Sequence, residues 1–242
     1  MKSVTRLIVG VSLMACANPA MAAEWIYFNS GATQSGKGLT FTDGTVKVRA
    51  TAWSTDQSKT IREANLGYWT DGLGVSYGVD NSHTVDNYNS TDFLLLQFDQ
   101  AVTLNSGDFR TGWNYLYDTD ATIRYADLDA AFTSDPNFKN KAAVSALKDF
   151  TSFASGSPGR SFNSVRNINP EGKLANTWIV SAGDTWSPDY YLDGFKLKGV
   201  SYTVPATPAV PEPATWAMLL LGFGAVGSVL RGRPARTRVT FA

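Results

Sequence analysis

The sequence predicts an all-β protein, an antiparallel, jelly-roll-like β-sandwich with one inserted helix. Three observations predict it. Short strand-like patches recur between residues 23 and 204. Pairs of Gly, Asp, Asn and Ser, the residues that turns demand, separate those patches. A single segment carries apolar residues at helical spacing.

Taken in order, Trp25-Ile26-Tyr27-Phe28 opens the series. Residues 46–53 alternate, which places Val46, Val48, Ala50 and Ala52 on one face of a strand. Gly74 to Tyr77 is short. Phe93-Leu94-Leu95-Leu96-Gln97-Phe98 is apolar almost throughout, as a central strand buried on both faces must be. Residues 122–125, 177–180 and 195–202 complete the set. Turns are expected at Asp43-Gly44, Asp71-Gly72, Asn105-Ser106-Gly107, Ser157-Pro158-Gly159 and Gly183-Asp184. The helix is expected from Pro136 to Phe150. Ser134 would cap it, Pro136 suits its first turn, and Phe138, Ala142, Leu147 and Phe150 form its apolar stripe.

The ends differ from this body. Lys2 and Arg6 precede an uncharged apolar stretch from Leu7 to Ala17, and Ala20-Met21-Ala22 offers the small residues a signal peptidase reads. Residues 1–22 therefore read as a secretory signal. Leu13-Met14-Ala15-Cys16 also resembles a lipobox, the competing reading of this end. Cys16 is the only cysteine, so cleavage after Ala22 leaves a mature chain with no disulfide and no thiolate ligand. The chain holds 21 basic and 21 acidic residues, but six of the bases lie in the two ends and one of the acids is Glu212. The body is therefore mildly acidic, and nothing supplies the basic face that nucleic acid requires.

Residues 205–213 form a Pro-rich linker ending in Pro211-Glu212-Pro213, which favours extended backbone open to a processing enzyme. Residues 214–230 are apolar and uncharged, beginning near Trp216, and read as a short transmembrane helix. Residues 231–242 form a basic tail with Arg231 and Arg233, which the positive-inside rule holds on the cytoplasmic side. Pro211, Glu212 and Pro213, then Trp216, then the glycines of the apolar run, then Arg231 and Arg233, resemble the PEP-CTERM sorting signal of Gram-negative bacteria. The resemblance implies an exosortase as processing partner. It also implies anchoring in the inner membrane before processing, and afterwards a place on the cell surface or outside the cell. Proteins with this signal accompany exopolysaccharide and biofilm production, so polysaccharide is the partner it implies for the body. The body strings Thr91-Asp92-Phe93-Leu94 and Asp193-Gly194-Phe195 are similar to other PEP-CTERM surface proteins, for which no activity is carried over.

Two glycine motifs are decoys. Gly222 to Gly227 satisfies G-x-G-x-x-G but sits in the apolar run with no strand before it. Gly31 to Gly38 nearly matches a P-loop, but Gly38 stands where Ser or Thr must hold magnesium. His83 is the only histidine, which rules out a multi-histidine zinc site and leaves no G-x-S-x-G elbow for a triad. Oxygen donors cluster instead. Asp80, Asp86, Asn87 and Asp92, with Asp193 arriving from a later turn, are a candidate calcium set, against local Asx-turns as the plainer reading. Trp53, Trp69, Trp113, Trp186, Tyr190 and Tyr191 are candidates for a sugar-stacking platform or for core filling. The expected function is a non-enzymatic surface or matrix protein that binds polysaccharide. The alternative is a secreted carbohydrate-active enzyme using aspartate carboxylates.

Overall fold

The computed structural model describes residues 22–35, 37–78, 83–111, 117–129, 132, 136–155, 163–183, 192–206 and 213–232. The chain divides into two compact units, Met1–Pro205 and Ala206–Ala242.

The first unit is all-β. Its strands are β1 (Glu24–Tyr27), β2 (Thr33–Ser35), β3 (Gly38–Thr42), β4 (Lys47–Thr55), β5 (Ile61–Glu63), β6 (Asn65–Trp69), β7 (Gly72–Ser76) and β8 (Val85–Asp86). They continue with β9 (Thr91–Thr111), β10 (Tyr117–Asp118), β11 (Ala121–Ala126), β12 (Thr151–Ser155), β13 (Ser164–Asn167), β14 (Ala175–Ala182) and β15 (Leu192–Thr203). All fifteen join one hydrogen-bonded network, with a central order β12-β11-β14-β9-β15-β7-β6.

The 21-residue β9 organises this network. Its first half, Thr91 to Phe98, lies between β4 and β14. Its second half, Thr103 to Thr111, pairs with β15, and Ser106 to Phe109 also pair with β13. Side chains from both halves enter one apolar cluster. Val48, Ala50, Leu94, Leu96, Trp178 and Val180 come from the first section, and Phe109, Phe195, Leu197 and Tyr202 from the second. Full burial of a side chain of this size is worth about 1.5–3 kcal/mol.

The expected alternation of β4 is half of what occurs. Val46, Val48, Ala50 and Ala52 enter the main core, but Thr51 and Trp53 on the opposite face are buried too. The cover is the segment expected to be a helix. Only Ala143–Ala146 forms a helical turn, α1, with no side-chain cap. Ser134, the expected cap, lies outside the described residues. The rest of residues 136–150 runs as a strap tied to the β4–β5 turn. Asn140 N donates to Ile61 O, Ile61 N to Lys141 O and Ala143 N to Lys59 O, all at 2.8 Å. Asn140 takes φ of 61°, a left-handed conformation that breaks a helix. The apolar stripe is nevertheless real. Phe138 packs edge-on against Trp53 at 5.6 Å and Phe93 at 6.4 Å, and Leu147 and Phe150 join the same second cluster.

The expected turn at Asn105-Ser106-Gly107 is also corrected. The chain continues through it as strand, with Ser106 opposite Ser201 and Gly107 opposite Val200. Gly107 is needed because the Phe109 ring folds back over it, 2.6 Å from where a Cβ would stand. The near-P-loop is a β2–β3 hairpin, as its glycines imply for a turn.

A part-buried polar tie fixes the chain entry. The Tyr202 hydroxyl donates to Asp43 Oδ2 and lies 3.2 Å from Glu24 Oε2. Burial, reinforced by the two carboxylates, pushes the Tyr202 phenol well up. Burial pushes the Asp43 carboxyl up as well. The hydrogen bonds from Tyr202 and from the Thr45 and Val46 amides outweigh it and hold Asp43 below its usual range. A carboxyl depressed in the folded state adds stability above its unfolded pKa, near 3.9, which is lost as pH falls through the lower folded value. A phenol raised in the folded state protects below about pH 10 and loses that contribution above it. Tyr202→Phe is expected to cost about 1–2 kcal/mol at pH 7. It should also flatten the stability loss as pH falls below about 4, as chemical denaturation at stepped pH would show.

Candidate functional site

The second unit contains α2, Pro213–Arg231. Pro213 supplies the fixed φ that suits a first helical turn, and Arg231 in the last turn complements the helix dipole. Trp216, Leu220, Leu221, Phe223, Val226 and Leu230 are all exposed. Gly222, Gly224 and Gly227 lie inside this helix, so no dinucleotide turn exists there. Among the described residues no helix is long and apolar enough to cross a membrane. Pro211, Glu212 and Arg233 lie outside the described residues.

In the β unit, the structure brings two of the candidate calcium residues, Asn87 and Asp193, into contact. Asp80 lies outside the described residues. Asp86, on β8, accepts from the Thr84 hydroxyl at 2.8 Å and the Tyr88 amide at 3.1 Å. Asp92 is buried and has Ser90 Oγ at 3.4 Å. Asn87 clasps Asp193. Its Nδ2 donates to Asp193 Oδ2 at 2.7 Å, and its Oδ1 accepts the Asp193 amide at 3.1 Å. The Asp86 and Tyr88 contact is an Asx-type local bond, the plainer expectation for this loop.

Asp193 instead gathers with two carboxylates absent from the expected set. Asp118, Asp120 and Asp193 each bring an oxygen within 4.8 Å of the others. The parallel pairing of β10 with β15 places Asp118 beside Asp193. Arg166 is the neighbouring cation. Burial lowers its guanidinium to about 10, against the opposing pull of Asp120, Asp118 and Asp193. Its Nη1 donates to Thr119 Oγ1 at 3.0 Å and Ser164 Oγ at 2.9 Å, and its guanidinium carbon lies 3.8 Å above the Phe109 ring. Among the described residues this trio is the group with three oxygens placed to hold a cation.

The aromatic candidates also divide. Trp53 is core, with Nε1 donating to Thr51 Oγ1 at 2.9 Å. Trp69 lies between the His83 ring, 5.1 Å away, and Lys196 Nζ, 4.3 Å above its centroid. His83 thus packs against Trp69 with the two ring planes tilted by 42°. Trp113, Trp186, Tyr190 and Tyr191 fall outside the described residues.

A cleft of ≈ 600 Å³ opens where three loops meet, among Asp56, Lys59, Asn87, Tyr88, Thr91 and Leu192. The β4–β5 turn shapes one wall. Asp56 Oδ1 accepts from Ser58 Oγ at 2.6 Å and Thr60 N at 2.9 Å, and Oδ2 from Arg62 Nε at 2.9 Å. Those bonds, Ser58 and Thr60 foremost, lower the Asp56 carboxyl to about 2. A smaller cavity of ≈ 190 Å³ adjoins, sharing Thr55, Lys59 and Thr91 and adding Phe93, Arg124 and Ser181. This cleft is assembled from loops distant in sequence, and no motif announces it.

The protein thus pairs an all-β body with a separate C-terminal unit built for sorting. That unit carries a PEP-CTERM protein-sorting motif, whose family model matches residues 209–233. The motif implies export, a membrane-anchored sorting signal before processing, and an exosortase as the processing enzyme. No curated protein and no solved structure matches the chain.

Proposed function

We propose that the protein is a non-catalytic binding module delivered to the cell surface or extracellular matrix, where its body, a jelly-roll-like sandwich, holds extracellular polysaccharide. The PEP-CTERM motif at residues 209–233 carries this reading, because it marks the chain as exosortase-sorted cargo. In this reading residues 1–22 direct export, and α2 resides in the inner membrane only until the exosortase acts. The exposed apolar surface of α2 supports that residence. The body offers a ligand-sized cleft among polar loops. Two of the three carboxylates, Asp118 and Asp193, are buried, and a guanidinium lies beside the trio, a poor setting for general acid and base work.

The test incubates the full chain with exopolysaccharide from the producing cell. Retention of the protein on the polymer without new reducing ends is the expected result. New reducing ends, abolished by Asp193→Asn, would replace this reading with a carbohydrate-active enzyme. Added calcium should leave retention unchanged unless the Asp118, Asp120 and Asp193 group holds that ion in solution.

A further inference from the structure

We infer that the outward face of β1 is a carbohydrate subsite, on which Trp25 and Tyr27 pack against the CH face of a sugar unit. This deepens the polysaccharide reading above and rests on it.

Side chains alternate along a strand, so Trp25 and Tyr27 point away from the core that Ile26 and Phe28 enter. The two rings are near-parallel, with planes 10° apart and centroids separated by 5.5 Å. Tyr27 is 46% exposed and Trp25 is half-buried. Across β15 and β9, Trp25 is in register with Ser201 and Ser106, and Tyr27 with Gly199 and Asp108. Residues directly opposed in a ladder project to the same face. A Cβ at Gly199 would stand 2.9 Å from Tyr27 Cδ1 and 2.8 Å from the Ile26 carbonyl oxygen, so glycine there lets the Tyr27 ring settle over β15. Beside this shelf, Arg110 Nη2 donates to Asp108 Oδ2 at 2.8 Å, and the Arg110 side chain remains part-exposed.

Extent and chemistry decide the occupant. A stable protein interface buries about 800 Å² on each partner. Two aromatic side chains supply well under that, since each buries about 150–250 Å² even in full. The next exposed apolar side chain in the Tyr27 row is Val165 on β13, beyond Asp108. The rings are thus bordered by Ser106 and by an ion pair rather than by a continuous apolar patch. A sugar unit has the matching make-up, an apolar CH face rimmed by hydroxyls. The ring surfaces take the first, and the serine hydroxyl and guanidinium are suited to the second.

Electrophoresis of the full chain through gels containing the producing cell's exopolysaccharide tests the assignment. The natural chain should be retarded. Trp25→Ala and Tyr27→Ala should each weaken retention about tenfold, and Tyr27→Phe should keep it. Both alanine variants should melt close to the natural chain, because neither ring belongs to the core. Should either fail to fold, oligosaccharides released from the polymer can be titrated into the natural chain, where the ring protons of Trp25 and Tyr27 should shift. Unshifted ring protons, or full retention of the folded double variant, overturn the β1 assignment and leave the polysaccharide reading standing. Self-association that the alanine variants abolish, with polymer retention unchanged, would give the shelf to a second copy of the chain and also overturn it. A natural chain that the polymer does not retard overturns both readings.

Discussion

A chain carrying Pro211→Ala, Glu212→Ala and Pro213→Ala is expected to be exported and then to persist at full length in the membrane fraction. The natural chain is expected to lose its C-terminal segment under the same conditions. The effect is all-or-none because recognition, not folding, is removed. The body is its own compact unit, Met1–Pro205, and the substitutions lie beyond it. Alanine also raises the helix propensity of the residues at the start of α2. Intact mass of the cell-associated and released protein reads the result. Release of the variant at the natural size would show that another feature of the tail is what the exosortase reads.

Gly74→Val is expected to destabilise the body by about 3 kcal/mol or more, enough to leave a large unfolded fraction in a marginal domain. A Cβ at Gly74 would stand 2.0 Å from the His83 carbonyl oxygen and 2.8 Å from its carbon, both backbone atoms that cannot swing away. Gly72→Ala should behave alike for two reasons. Its φ is 111°, and its Cβ would meet the Leu197 carbonyl at 2.3 Å. Gly44 is the control. It has φ of 99° but nothing within 4 Å, so Gly44→Ala meets strain alone, about 1–3 kcal/mol. Urea denaturation of the three variants would rank them, and a Gly74→Val chain as stable as the natural one would mean that β7 and the residues before β8 do not pack as described.

Much of the β unit was legible because its strands are long and apolar. Phe93 to Phe98 announced a strand buried on both faces, and it is one, flanked by β4 and β14. The Asp43-Gly44 and Asp71-Gly72 turns follow from side chains that favour left-handed or Asx geometry. The short strands β2, β5, β8 and β10 have two or three residues each, too few for any periodicity to register. The second half of β9 was hidden by Asn105-Ser106-Gly107, whose turn chemistry yields to ladder pairing with β15. Residues 136–150 misled in a different way. Their apolar spacing is genuine, but tertiary contacts with Trp53 and the β4–β5 turn claim those side chains without a helix. The site was less legible than the fold. Asp118 and Asp193 are brought together by a parallel pairing of distant segments, and the cleft draws on three loops, so neither has a local signature.

The continuity of β9 has a mechanical consequence. Because one uninterrupted strand is hydrogen-bonded into both sections, neither can detach while the other stays intact. Heating should produce one calorimetric transition whose van't Hoff and calorimetric enthalpies agree. A filament tugging on one end of the body would meet the resistance of the whole, since any load entering through β4 or β14 is passed by shared backbone to β15. Such a body behaves as a single rivet rather than a hinge.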